Sequence, residues 1–410
     1  MKPQNPASPP SQKGPRLIFA MCSAQVCSML GVFAFPALLP HFLKLWGLSN
    51  SQAGWINGVY FMGYTLGVPF LTSLTDRMDG RKIYLTCCLL GFAANLGFAL
   101  AVNGFWLALL FRALAGLGLA GTFVPGLKAL IDRVPEQSQS RAVSFYTASF
   151  GLGMSMSFYV TGKIFSVLGW KMAFAGAAFG SLAALIISFF MLAPRPAPRI
   201  GDGASFWETF DFRPAWKNRP ARSYILAYMC HMWEMFAARS WMVAFLTFSL
   251  TLQKGLESYP APTTVMAVAG IFGMIASITG GELADRFGRR RVVRGIMAIS
   301  CITALTMGFA VHLPYLAVAG LCLFYTVFFQ GDSAAIHSGV ITAAQPERRG
   351  STMALQSLGG FAAASLGTVA SGFALDLTGG GNTAFSWGIA FGVMGATALL
   401  GSLLLKKEDA

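Results

Sequence analysis

SLTDRMDGRK, residues 73–82, and GELADRFGRRR, residues 281–291, are two versions of one pattern: an aspartate, then a glycine set among basic residues. Asp76 and Asp285 stand 209 residues apart in a chain of 410. A second pair, RVPEQSQS from residue 133 and AQPERRGS from residue 344, repeats at a similar offset. Self-similarity at so long a period means that one structural unit is built twice.

What lies between these polar stretches is oil. Hydrophobic residues make up 55% of the chain and charged residues only 11%, with a mean hydropathy of +0.59, well beyond soluble composition. Crossing the hydrocarbon takes roughly 20 residues of helix. Twelve apolar runs reach that length, near 17–43, 50–74, 83–103, 105–131, 142–166, 170–192, 223–250, 263–284, 293–312, 314–342, 352–375 and 384–405. The expected fold is an all-α membrane protein with twelve transmembrane helices in two six-helix pseudo-symmetric halves. The Pro- and Arg-rich break from Ala193 to Ser223 separates them. The expected parts are a disordered cytoplasmic tail over 1–16, a first half over 17–192, a cytoplasmic loop over 193–222, a second half over 223–405 and a cytoplasmic tail over 406–410.

A net charge of +14 raises the question of nucleic acid, but the basic residues punctuate span ends rather than forming a soluble patch. By the positive-inside rule about 23 of the 30 Lys and Arg mark one side, against Lys44, Lys163, Lys171 and Lys254 on the other. Both termini are therefore expected in the cytoplasm, with the protein multi-pass in the cytoplasmic (inner) membrane. The seven cysteines all fall inside spans, as small core residues. The sequence contains no Gly-x-x-x-x-Gly-Lys-Ser/Thr run, metal cluster or catalytic triad. No cofactor, no metal and no enzymatic activity are expected.

The paired stretches also carry a resemblance. Gly281, Asp285, Arg286, Gly288, Arg289 and Arg290 match the G-x-x-x-D-R-x-G-R-R loop motif of the major facilitator superfamily. The first copy, with Asp76, Arg77 and Arg81, departs from it: Thr72 stands at the glycine position and Asp79 is interpolated before Gly80. RALAGLGLA, Arg112–Ala120, resembles the superfamily's Arg-x-x-x-Gly-x-Gly-x-Ala signature in the fourth span, whereas the glycine-proline signature of drug exporters is not evident in SFGLGMSMSFYVTG, Ser149–Gly162. The resemblance implies a transporter in which spans 1, 4, 7 and 10 line a central cavity. It also implies that Asp76, Arg77, Arg81, Gly281, Asp285, Arg286, Gly288 and Arg289 form a gating motif. Physically, each aspartate is expected to accept from N–H groups at a neighbouring helix start while the arginines meet lipid headgroups.

A charge at mid-bilayer costs at least ~2.5–3.5 kcal/mol, so each buried ionisable residue is a functional candidate. The deep ones are Arg112 and Lys128 on the fourth span, His231, Glu234 and Arg239 on the seventh, and Asp332 and His337 on the tenth. CHMWEMFAARS, Cys230–Ser240, is thus expected to face a watery path. At 1.5 Å per residue Glu234 and Asp332 both fall near the midplane. Glu234 is the first candidate for a proton carrier, His231 one turn earlier a relay, and Asp332 the second carrier. Arg112 and Arg239, from opposite halves, are expected to converge on an anion. Gln25, Asn57, Tyr60, Tyr146, Gln330, Gln356 and the Trp233 ring would complete the site. The competing structural readings are that Glu234 and Asp332 hold helices together, that Arg112 serves packing, that Lys128 snorkels to the surface, and that His337 bonds to backbone.

The functional expectation is a proton-coupled secondary transporter of a small organic solute, anionic because three buried cations face two buried acids. Its expected partners are solute, protons and lipids, with no nucleic acid, and the chain is expected to be a monomer. The alternatives are a proton-antiport exporter of hydrophobic or cationic compounds, and a transporter-fold sensor signalling through the FWETFDF segment of the middle loop.

Overall fold

The computed structural model describes residues 14–196, 212–253 and 259–405. Residues 1–13, most of FWETFDF, Lys254 and the tail 406–410 lie outside the described residues. Helix dominates, because hydrocarbon offers no partner to an unpaired backbone group and a helix satisfies its own. The elements are α1 (Gly14–Ser28), α2 (Ala34–Ala37), α3 (Leu39–Leu45), α4 (Asn50–Leu74), α5 (Gly80–Ala101), α6 (Phe105–Ala120), α7 (Val124–Ile131), α8 (Glu136–Met191), α9 (Arg213–Lys217), α10 (Arg219–Thr251), α11 (Pro262–Phe287), α12 (Arg289–Met307), α13 (Tyr315–Gly331), α14 (Ser333–Ala343), α15 (Arg349–Leu377) and α16 (Ala384–Leu404).

Eight helical stretches are long and apolar enough to cross a membrane, among them α6 with α7 and α13 with α14. One of the eight, the 56-residue α8, is two helices meeting at Gly169 (φ 82°, ψ 175°). It folds back on itself: Arg133 Nε, before its start, donates to Ala193 O, after its end, at 2.8 Å. The broken run α1–α3, α4 and the 33-residue α10 have the length to cross but carry more polar residues. Counted this way the described helices make twelve passes. The structure also moves two boundaries. Gly14–Arg16, expected in the tail, open α1, and residues 219–222, expected in the loop, form the first turn of α10, where Asn218 Oδ1 accepts from Ala221 N at 3.2 Å.

Both chain ends and both motif loops share one face. Gly14 packs against Pro135 and Ser138, while Leu405 clusters with Tyr224, Ala284 and Val293. Between the halves, α4 pairs with α15 and α8 with α11; α7 and α14, nearest the termini face, pack only within their own halves among the more extensive contacts. The α4–α15 seam is tight because it is lined by small residues. A Cβ on Gly58 would lie 2.9 Å from Ser365 O, and one on Gly54 3.1 Å from Thr368 O.

The seam ends, on the face away from the termini, in a clasp. Asp376 Oδ1 accepts from Asn50 N and Nδ2, both at 2.9 Å, and Oδ2 accepts from Ser51 N at 2.7 Å and Ser51 Oγ at 2.5 Å. A carboxylate from one half thus caps the helix start of the other, where the dipole is positive. The contacts close the molecule on this face. Asp376→Ala should loosen it: in a cysteine-free background, a cysteine placed at buried Thr368 is expected to react several-fold faster with an impermeant maleimide. An unchanged rate would remove the clasp from any gating role.

Candidate functional site

The first span is interrupted between α1 and α2, leaving carbonyls that hydrocarbon cannot satisfy. Arg112, on α6, is spent on them: Nη1 donates to Gly31 O at 2.8 Å and Nη2 to Val32 O at 2.7 Å, with its Cζ 4.1 Å from the Tyr60 ring centroid. Ser157 Oγ donates to Leu30 O at 2.7 Å and accepts from Phe33 N at 2.9 Å. The expectation that Arg112 and Arg239 bridge an anion gives way here. The Arg112 guanidinium holds a helix break, and Tyr60 lies under it.

The other cavity-side spans break too. Between α6 and α7, the Tyr146 hydroxyl lies 2.7 Å from both Thr122 O and Gln25 Oε1, while Gln25 Nε2 is buried without a partner. At Asp332, between α13 and α14, Oδ1 meets His231 Nδ1 at 2.7 Å. This pairing replaces the expected relay from His231 to Glu234. Glu234 Oε1 instead accepts from Ser300 Oγ and Tyr325 OH, each at 2.9 Å, inside the second half. Trp233 Nε1 donates to Val393 O at 3.1 Å, so the ring packs away from the junction. Gln356 Nε2 lies 3.2 Å from His337 Nδ1, far toward the termini face. The ionisable groups of Cys230–Ser240 therefore do not share one path, because successive positions on a helix turn by 100°.

Arg239 alone of them reaches the junction of the halves. It is 4% exposed; Nη2 donates to Gln330 Oε1 at 2.8 Å, Nη1 lies 3.1 Å from Met154 Sδ, and Cζ is 5.9 Å from the Phe33 ring centroid. Among the described residues no carboxylate comes within 4.0 Å of it. Around it stands a box of rings that sequence reasoning missed. Phe33 stacks on Phe158 (4.7 Å) and faces Phe236 (6.3 Å), Phe61 meets Phe236 (4.6 Å), and Phe361 meets Tyr64 (4.2 Å). Helical spacing gave one clue, since Phe236 precedes Arg239 by three and so shares its face. Asn57, one turn before Phe61, is fully buried with neither amide atom paired.

At the motif loops the acids also differ from expectation. Asp76 touches only Lys128 Nζ, at 3.9 Å, among the contacts seen, and Asp285 pairs with Arg289 Nη2 on its own side at 3.1 Å. Neither caps a neighbouring helix. The interpolated Asp79 does the capping: it accepts from Arg81 N at 3.0 Å, from Arg195 N at 2.9 Å, and from Arg133 Nη2 at 2.8 and 2.7 Å. Burial alone would raise its carboxyl, but the Arg133 hydrogen bonds, the two backbone N–H groups and the Arg133 charge outweigh it and hold the carboxyl below the usual range. An aspartate directly before Gly80 at a helix start is an N-cap signal that the sequence already carried. In the second copy Gly288 occupies that cap, with φ 92° that favours glycine. Gly281 packs α11 against Ala334, Arg289 Nη1 donates to Thr342 Oγ1 at 3.3 Å, and Arg81 Nη2 donates to Phe189 O at 3.0 Å.

The family model for the Major Facilitator Superfamily matches residues 21–331 and 235–410. The niacin transporter NiaP of Acinetobacter baylyi is 30% identical over 144 residues, 35% of this chain and 32% of that protein. The sialic acid transporter NanX of Escherichia coli is 24% identical over 286 residues, 69% of this chain and 67% of that one. Among solved structures, a bacterial homolog of the human lysosomal transporter Spinster superposes with a TM-score of 0.74 at 16% identity, covering 97% of this chain and 95% of its own. The nucleoside transporter NupG gives 0.77 at 14% identity, covering 95% and 98%. With a family match across nearly the whole chain, a duplicated loop motif and a fold of two six-helix halves, the protein is a multi-pass membrane protein belonging to the Major Facilitator Superfamily.

Proposed function

We propose that this transporter moves a small organic anion across the cytoplasmic membrane by proton-coupled alternating access, with both termini in the cytoplasm. The observation that carries the reading is Arg239, a buried guanidinium between the halves with a neutral amide, a thioether and a ring for company. A buried charge without a counter-charge is expensive, and an anionic solute is what would supply it. The named solutes of the relatives, niacin and sialic acid, are consistent with a small-molecule cargo. Export of hydrophobic cations is less well supported, since the junction presents a cation and Glu234 and Asp332 are engaged away from it.

Coupling is assigned to the buried His231–Asp332 pair, with Glu234 as a second protonatable group. Gln330, which holds Arg239, is two residues from Asp332 at the α13–α14 break. Drawing Arg239 onto an anion frees Gln330 and with it the break, so solute and proton occupancy act on one element. In proteoliposomes loaded with a carboxylate mixture, Asp332→Asn is expected to abolish accumulation driven by a pH gradient while counterflow exchange stays within a few-fold of the native rate. Accumulation that survives this substitution would rule out the coupling role.

A further inference from the structure

The ring box around Arg239 narrows the class of anion. Phe33 and Phe236 come from opposite halves, yet their planes lie within 21° of parallel at a centroid distance of 6.3 Å. A third ring inserted between two others needs about 7 Å, twice the optimal separation of carbon atoms. The gap is therefore short of that by under about 1 Å, and it lies between the two bodies that must separate when either face opens. Arg239 stands one helical turn past Phe236 with its Cζ 5.9 Å from the Phe33 centroid, so a guanidinium borders the slot on one side. On α4, Asn57 is buried with both amide atoms unpaired, one turn from Phe61, whose ring touches both Phe33 and Phe236. An unpaired buried amide is a polar contact waiting for a partner.

We infer that the solute is a planar aromatic carboxylate, its ring held between Phe33 and Phe236 and its carboxylate on Arg239. This rests on the anion reading above and adds the requirement for a flat ring. A saturated ring is thicker than a π-system and offers no quadrupole to the phenyl faces, so it fills the slot poorly. A neutral aromatic keeps the stacking and leaves the guanidinium uncompensated. Phe158, already stacked on Phe33 at 4.7 Å, backs the slot and fixes the orientation of that wall.

The test is binding to the purified full-length protein, measured calorimetrically with three probes of similar size: benzoate, cyclohexanecarboxylate and benzamide. Benzoate is expected to bind at least about tenfold more tightly than either of the others, and Phe236→Leu to bring the benzoate to cyclohexanecarboxylate ratio toward one. The comparison on the native protein stands even if the variant does not fold. Equal binding of benzoate and cyclohexanecarboxylate would overturn the aromatic requirement and leave the anion reading in place. Failure of both acids to bind, or benzamide binding as well as benzoate, would overturn the anion reading and this inference together.

Discussion

Arg239→Gln should reduce uptake of an anionic solute at least about a hundredfold. Charge-assisted, bidentate contacts to a carboxylate are among the strongest polar interactions, and the site is desolvated on every side. Removing the only guanidinium in the ring box takes that contact away without opening a large void, because glutamine keeps much of the stem. The partner residues also change little: Gln330 Oε1 loses a donor, and the replacement amide can restore one. The loss should therefore fall on transport and not on folding. Arg239→Lys is the sharper version, since it keeps the charge but lacks the planar fork. Uptake by Arg239→Lys is expected to fall at least tenfold. The measurement is initial-rate uptake in proteoliposomes at matched protein density; native rates in Arg239→Gln would remove Arg239 from the binding site.

The second large effect concerns stability. Asp79→Ala leaves Arg133 with a buried charge and strips the helix start of α5 and the Arg195 backbone of their acceptor. Breaking one side of a buried ion pair typically costs about 3–5 kcal/mol. Unfolding titrated with a denaturing detergent should show a loss of about that size, whereas Asp76→Ala, at an exposed contact of 3.9 Å, should stay within about 0.5 kcal/mol. The pH dependence has a definite sign. The folded Asp79 carboxyl titrates below its unfolded value, so its contribution is complete above roughly pH 4 and disappears as pH falls through the folded value. The difference between native protein and Asp79→Ala should accordingly shrink on acidification, and a difference that grows would contradict the arrangement.

Fold and repeat were legible from the sequence because membrane insertion writes itself in composition: apolar length sets the spans and Lys/Arg bias sets their sides. Which residues lie deep was legible too, for the same reason. Direction was not. Glu234, His231 and Arg239 lie within nine residues, yet they address α12 with α13, the α13–α14 break, and the opposite half respectively. No periodicity tells a cavity face from a helix–helix face when both are buried. Arg112 illustrates the same limit. Its part in closing the α1–α2 interruption depends on where that helix breaks, and GVFAFPALL, Gly31–Leu39, shows only one proline to suggest it. The aromatic box went unread because phenylalanine is abundant, 35 in this chain, and only contact distinguishes the few that matter.

The two loop copies, similar as strings, are unequal as joints. The first is knotted, with Asp79 gathering α5, Arg133 and the chain beyond α8 into one node. The second has a glycine and an alanine, Gly288 and Ala344, at the corresponding places, and no such node. Variation in the first loop therefore strikes at whether the protein survives, while variation in the second is free to alter how fast it cycles.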